Sequence, residues 1–198
     1  MGAEVGRVVA RVSRVSFDRP GFFSGGGNLA VNEDPPWSRQ LPEFAENCMA
    51  AVPDGRLDSR TRRAWAKLCP HHAPALEAVD GQSRLVHSDV NPKNILVATT
   101  NSGWMANALL DWEFSYSGCP YADAANMTRF AADRLDGFAA GFAEGQDTPL
   151  PANWAYLGRV LDMFALSDLV TRPLGHAVAD QAAALIGHIT TVPSRMNF

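Results

Sequence analysis

The stretch LVHSDVNPKNILV, from Leu85 to Val97, sets His87, Asp89, Asn91, Lys93 and Asn94 between two apolar runs, Leu85-Val86 and Ile95-Leu96-Val97. A plain turn between buried strands needs a Gly, Asn or Pro. It has no use for an acid, a base and two amides in fixed order. His87, Asp89 and Asn94 read H-x-D-x-x-x-x-N, and further on Leu109-Leu110 runs into Asp111-Trp112-Glu113. An acid, an amide and a second acid are thus expected at the ends of adjacent strands. Oxygen ligands of this kind suit Mg²⁺, which takes one or two protein carboxylates together with phosphate oxygens and water. Asp89 is then left to accept a proton. A hydroxyl attacking a phosphoryl group needs little beyond an oriented base, a metal on the phosphates and alignment. The competing reading is a polar β-turn with incidental acids. Two motifs in order, each closing an expected strand, weigh against it.

The elements that must position these residues follow from pattern. RLVH, NILVA and NALLDW are short, apolar and bounded by turn residues, as strands are, with TTNSG at 99–103 as the loop between the last two. Before them, Val5, Val8, Val9, Val12 and Val15 share a helical face. FDRPGFFSGGGN is a turn-rich stretch, and Pro35-Pro36 breaks the chain again. Helices are expected over Leu41–Ala51, over Ser59–Leu68 with Asp58 or Ser59 as N-cap, and briefly over Pro74–Val79. After Tyr121 the pattern is helical, near 122–133, 134–145, 152–171 and 175–190. Phe138 with Phe142, and Leu157 with Leu161 and Phe164, form stripes that read as core. The expected fold class is α+β, mostly α: one helical domain over 1–198 with a small central β insertion that carries the polar loop.

Composition narrows the function classes. At 198 residues and 46% apolar, the chain can bury a sizeable core. A net charge of −4 argues against a nucleic-acid partner, which calls for a basic stripe. Cys48, Cys69 and Cys119 are widely spaced, without a CxxC pair, and read as buried thiols of a reducing compartment. The opening MGAEVGRVVARVSRV lacks the continuous apolar run of a signal peptide, and no run is long enough to span a bilayer. These features point to a cytoplasmic protein. His71 and His72 read as solvated loop residues. His176 and His188 fall in a helical stretch without a role, and Trp37, Trp65, Trp104 and Trp154 read as packing.

LVHSDVNPKNILV followed by ALLDWEFSYSGCPYADAA resembles the aminoglycoside phosphotransferase family, the protein-kinase-like small-molecule kinases; AEVGRVVARVSRVSFDRPGFF resembles the start of that family's helical lobe. The resemblance implies ATP and Mg²⁺ as cofactors and a small-molecule alcohol as acceptor. It implies Asp89 as catalytic base, Asn94 and Asp111 as ligands of Mg²⁺, and His87 as a brace of the loop. Leu96 and Leu110 would supply apolar surface under the adenine. Asp123 resembles an acid that steadies the loop from below. Lys93 could touch a phosphate or be a solvated loop lysine, and Glu113 could support the metal site or line the acceptor site.

The family's smaller lobe, a β-sheet with a phosphate-covering loop and a strand lysine paired with a helix glutamate, has no counterpart in the sequence. The two lysines are Lys67, in an expected helix, and Lys93 in the loop; SGGGN at 24–28 is not G-x-G-x-x-G and reads as a flexible connection. The expectation is therefore the C-terminal catalytic lobe alone, truncated, with an N-terminal nucleotide lobe missing or supplied by another polypeptide. Three functions compete: a phosphotransferase lobe of weak activity in isolation, a catalytically dead remnant or binding module, and a Mg²⁺-dependent hydrolase. Asp133, Asp136, Glu144, Asp162 and Asp168 lie where acceptor contacts would fall. They could draw a cationic aminoglycoside or simply form a solvated face.

Overall fold

The apolar stripe of the opening segment folds as α1 (Gly2–Val12), with Val5, Val9 and Ala10 buried. In chain order follow β1 (Gly21–Ser24), β2 (Ala30–Val31), α2 (Trp37–Ala51), α3 (Ser59–His72), a 3-10 segment (Ala73–Ala78), β3 (Arg84–Val86), a 3-10 turn (Pro92–Asn94), β4 (Ile95–Thr100) and β5 (Gly103–Leu109). The order closes with a 3-10 turn (Trp112–Phe114), β6 (Tyr116–Gly118), α4 (Tyr121–Thr128), α5 (Phe138–Glu144), α6 (Trp154–Leu169) and α7 (Ala177–Thr191). The computed structural model describes residues 1–25, 30–101, 103–130 and 135–192. The chain is mostly helical with small antiparallel sheets, and it divides into two units: Met1–Asp34 with Val79–Gly158, and Pro35–Ala78 with Arg159–Phe198.

The first unit carries both sheets. One has the strand order β2-β1-β6-β3 with antiparallel pairing throughout, registered by Phe22 opposite Tyr116 and Leu85 opposite Ser117. The other is the hairpin β4–β5, with a bulge between Leu96 and Val97. α1 packs against α5 at backbone distance. A Cβ on Gly6 would run into the Phe138 carbonyl oxygen, and one on Gly141 into that of Ala3. Phe138 and Phe142 stack on one another, and Phe142 meets Trp154, so the i, i+4 stripe of α5 is core as expected.

In the second unit, Trp37, Leu41, Ala45 and Met49 form one buried stripe along α2, running past Pro42. Asp58 caps α3 by accepting the Thr61 N–H at 2.7 Å, and Trp65, fully buried, donates Nε1–H to Ser167 Oγ at 2.9 Å. The buried Arg56 side chain satisfies the carbonyls that end α6: Val170 at 3.1 Å, Pro173 at 2.7 Å, and Arg172, with Asp180 of α7 as its ion-pair partner. Basic groups near a helix C-terminus are favoured by its exposed carbonyls.

Several expectations are corrected. α2 begins at Trp37 rather than Leu41, and α3 runs to His72 with Pro70 inside it. In both helices burial of a continuous apolar stripe outweighs the hydrogen bond a proline removes. His71 and His72 therefore sit in the last helical turn, and burial lowers the pKa of His72. Pro74–Val79 is 3-10 over Ala73–Ala78. The turn-rich segment contains β1 and β2, and YSG forms β6; strands this short carry almost no periodicity. Of SGGGN, residues 26–28 lie outside the described residues, as do 131–134 at the junction of two expected helices. The expected loop 99–103 shrinks to a tight turn, Thr100 pairing with Gly103, with Ser102 outside the described residues. His176 does have a role: it is the N-cap of α7, its Nδ1 accepting the Ala179 N–H at 3.3 Å. Trp104 is not packing but stands 56% exposed near the hairpin tip.

Two glycines should respond oppositely to alanine. Gly141→Ala forces α1 and α5 apart and should lower unfolding free energy by about 1–3 kcal/mol. Gly187→Ala, in α7 with open space where its Cβ would lie, should raise it by up to about 1 kcal/mol. Urea unfolding of the two variants checks both signs.

Candidate active site

The polar loop leaves β3 at Val86, and its first residues are held from below. Asp123 sits buried in the first turn of α4; one carboxylate oxygen accepts the His87 N–H at 3.0 Å and the other the Ser88 N–H at 2.8 Å. Burial pushes this carboxyl up to about 7, while the two N–H donors pull it down. His87 is fully buried. Its Nε2 lies 2.8 Å from the Leu110 carbonyl oxygen and its Nδ1 accepts the Asp89 N–H at 3.2 Å. That pairing fits a neutral ring with the proton on Nε2. Burial lowers the imidazole pKa, against the Leu110 carbonyl and the charges of Asp89 and Asp111, which raise it. The Trp112 ring covers His87 at 4.5 Å.

Asp89 is oriented by two amides. Asn91 Nδ2 donates to Oδ1 at 3.1 Å and Asn94 Nδ2 to Oδ2 at 2.8 Å, and both also reach the Asp89 carbonyl. Asn91 at the same time caps the 3-10 turn Pro92–Asn94 by accepting the Lys93 N–H at 2.9 Å. The Asn94 carbonyl accepts the Leu110 N–H at 2.8 Å, which carries the β4–β5 ladder one pair further and brings Asn94 alongside the residue preceding Asp111. Asp111 itself is left-handed (φ 63°, ψ 65°) and turns the chain out of β5. Its carboxylate is exposed and, among the described residues, makes no hydrogen bond or ion pair.

His87, Asp89, Asn94 and Asp111 are therefore gathered where β3 and β5 end, two strands of different sheets. Lys93 and Glu113 are exposed, and neither side chain is tied to the cluster among the described residues. Leu96 and Leu110 are 47% and 38% exposed, in keeping with an expected apolar surface there; Val97, Met105, Trp112 and Phe114 are exposed as well. The acids considered for an acceptor are spread out. Glu144 pairs with Arg7 and Asp168 with Arg172, Asp162 is buried, Asp136 is exposed, and Asp133 lies outside the described residues.

The donor set fits Mg²⁺. Asn94 spends its Nδ2 hydrogens on Asp89, leaving Oδ1 as an oxygen donor, and Asp111 offers an unpaired carboxylate. No group of three or more His, Cys, Asp and Glu side chains is gathered to hold a metal among the described residues. Two protein oxygens completed by phosphate and water match the habits of this ion.

The sequence model of the phosphotransferase enzyme family, APH, matches residues 1–157. The chain belongs to this family. Among solved structures it is similar to aminoglycoside phosphotransferase APH(4)-Ia, at 16% identity and TM-score 0.66, over 96% of this chain and 64% of that one. A thermostable mutant of that enzyme, in ternary complex with ADP and hygromycin B, matches at 16% identity and TM-score 0.65, over 96% and 64% of the two chains. Choline kinase LicA from Streptococcus pneumoniae matches at 14% identity and TM-score 0.54, over 94% and 63%. The likeness at these identities is one of fold, and the chain spans just under two thirds of the length of these phosphotransferases. No curated protein matches the sequence.

Sequence reasoning gave no role in the site to Asn91, Trp112 or Asn126. Asn91 had a signal: Asn before Pro marks an Asx turn. Trp112 and Asn126 become visible only when α4 and the end of β5 meet the loop.

Asp123 sets a pH dependence. The folded chain holds its proton to higher pH than the unfolded chain, whose carboxyl titrates near 3.8. Its contribution to stability is therefore full below the unfolded value and is lost as pH rises through about 7. Asp123→Asn leaves one backbone N–H unmatched and should cost about 1–3 kcal/mol. The gap between wild type and this variant should narrow as the pH is raised across that window. Denaturant unfolding across the window tests this, and parallel pH profiles would contradict it.

Proposed function

We propose that residues 1–198 act as one catalytic lobe of an ATP-dependent phosphotransferase that moves the γ-phosphate to a hydroxyl of a small molecule. The observation that carries this reading is the Asp89 carboxylate, held by Asn91 and Asn94, with Asn94 tied through Leu110 to the turn that presents Asp111. Family membership supports the phosphotransferase class, and the neighbour crystallised with ADP supports a nucleotide as donor.

In this reading each Asp89 oxygen accepts one amide hydrogen and keeps a lone pair for the acceptor O–H, so the proton passes to a carboxylate already oriented toward it. Asn94 Oδ1 and Asp111 hold Mg²⁺, which when bound neutralises charge on the nucleotide phosphates. His87 stays neutral and braces the loop. Lys93, exposed and unpaired among the described residues, would supply a phosphate contact. Leu96 and Leu110 offer apolar surface to the adenine. The acceptor is a small molecule; Glu144 and Asp168, already ion-paired, give little support to a strongly cationic one.

We also propose that a nucleotide-covering lobe lies outside these residues and that the isolated chain turns over slowly. Preorganised contacts to the transferring phosphate are worth about 3–4 kcal/mol each, and no described strand carries a lysine. The same observation favours the second reading, a remnant or binding module that keeps the lobe's fold. An assay of phosphate transfer from ATP to a panel of aminoglycosides, choline-like alcohols and sugars separates the two. Slow, Mg²⁺-dependent transfer that falls at least about 10²-fold in Asp89→Asn is the expected result. Transfer indifferent to this change would contradict the assignment of Asp89, and no transfer to any acceptor would favour the second reading.

A further inference from the structure

Ser88 stands between His87 and Asp89 with a left-handed backbone, φ 69°. A Cβ disfavours that conformation, so a serine adopts it only where its surroundings impose it. Helix α4 grips this residue from both sides. Asp123 Oδ1 accepts the Ser88 N–H at 2.8 Å, and three residues on, Asn126 donates Nδ2–H to the Ser88 carbonyl at 3.4 Å. The i, i+3 spacing puts both side chains on one face of the helix. The peptide joining Ser88 to Asp89 is then held at both ends: its carbonyl by Asn126, its N–H by His87 Nδ1 at 3.2 Å.

Asn126 is only 9% exposed, and its Oδ1 is buried without a hydrogen-bond partner. A core amide with half its capacity unmet is unfavourable, and an apolar side chain would remove that penalty. What such a change would lose is the bond to Ser88.

We infer that Asn126 is a positioning residue of the catalytic loop. Its bond to the Ser88 carbonyl keeps residue 88 left-handed and so keeps Asp89 on the side of the loop where Asn91 and Asn94 orient its carboxylate. That this loop is catalytic rests on the phosphotransferase reading above. Hydrogen exchange is read without turnover, so a chain without transfer activity contradicts that reading and leaves this one standing.

The test is residue-resolved amide exchange by NMR on the whole chain in wild type, Asn126→Ala, Ser88→Gly and the double variant, with the amides of α7 as internal reference. Asn126→Ala should speed exchange at Ser88 and Asp89 about tenfold relative to α7. In the Ser88→Gly background the acceleration should shrink below about threefold, because glycine holds a left-handed conformation unaided. If Asn126→Ala does not fold, Asn126→Ser, whose hydroxyl is too short to reach Ser88, takes its place in the same cycle. Unchanged exchange, acceleration shared equally by α7, or equal acceleration with serine and glycine at 88 would each overturn the inference.

Discussion

A neutral imidazole can donate through one nitrogen and accept through the other, and His87 does both inside the core. Through Nε2 it meets the carbonyl of Leu110, at the end of one strand; through Nδ1 it takes the N–H of Asp89, in the loop that follows another. The ring therefore joins the two halves of the site, and each partner is a backbone group that cannot swing away. Protonation of His87 would fill the acceptor position that Asp89 uses, so burial, which lowers the imidazole pKa, also protects the geometry. Trp112 lies over the ring, immediately after Asp111.

Backbone strain in the chain is concentrated around this junction. Among the described residues, the non-glycine positions with positive φ are Ser88 and Asp111. Ser88 turns the chain so that His87 points inward and Asp89 toward its amides; Asp111 turns it out of β5 so that its carboxylate is left exposed. Such conformations persist only where neighbours over-determine them. For Ser88 the neighbours are Asp123 and Asn126 on α4. For Asp111 they are the Leu110 pairing with Asn94 and the 3-10 turn that follows. A rigid sheet edge and one helix face thus supply the support that the role proposed for Asp89 requires.

Much of this was legible in the sequence because the chemistry is local. His87, Asp89 and Asn94 lie within one loop, and the apolar runs on either side announce the strands that carry it. The helix bounds were less legible. The expected helices start at Leu41 and stop at Leu68, yet α2 begins at Trp37 and α3 runs to His72, with Pro42 and Pro70 inside them. β1, β2 and β6 are too short to leave a period, and β1 and β6 are stabilised by pairing with distant partners, as Gly21 with Ser117 and Leu85 with Ser117. Asn126 and Trp112 belong to the site through contacts that no spacing rule encodes, because their partners are thirty-eight and twenty-five residues away.

The central claim is that one loop and one strand end together form a metal-dependent nucleotide site. Isothermal titration of the purified chain with ATP, with and without Mg²⁺ and with Asp111→Asn as comparison, tests it most directly. Binding that requires Mg²⁺ and is lost in Asp111→Asn is the expected result. A folded chain that binds no ATP, or binds it equally well without Mg²⁺ and in the variant, would contradict the claim.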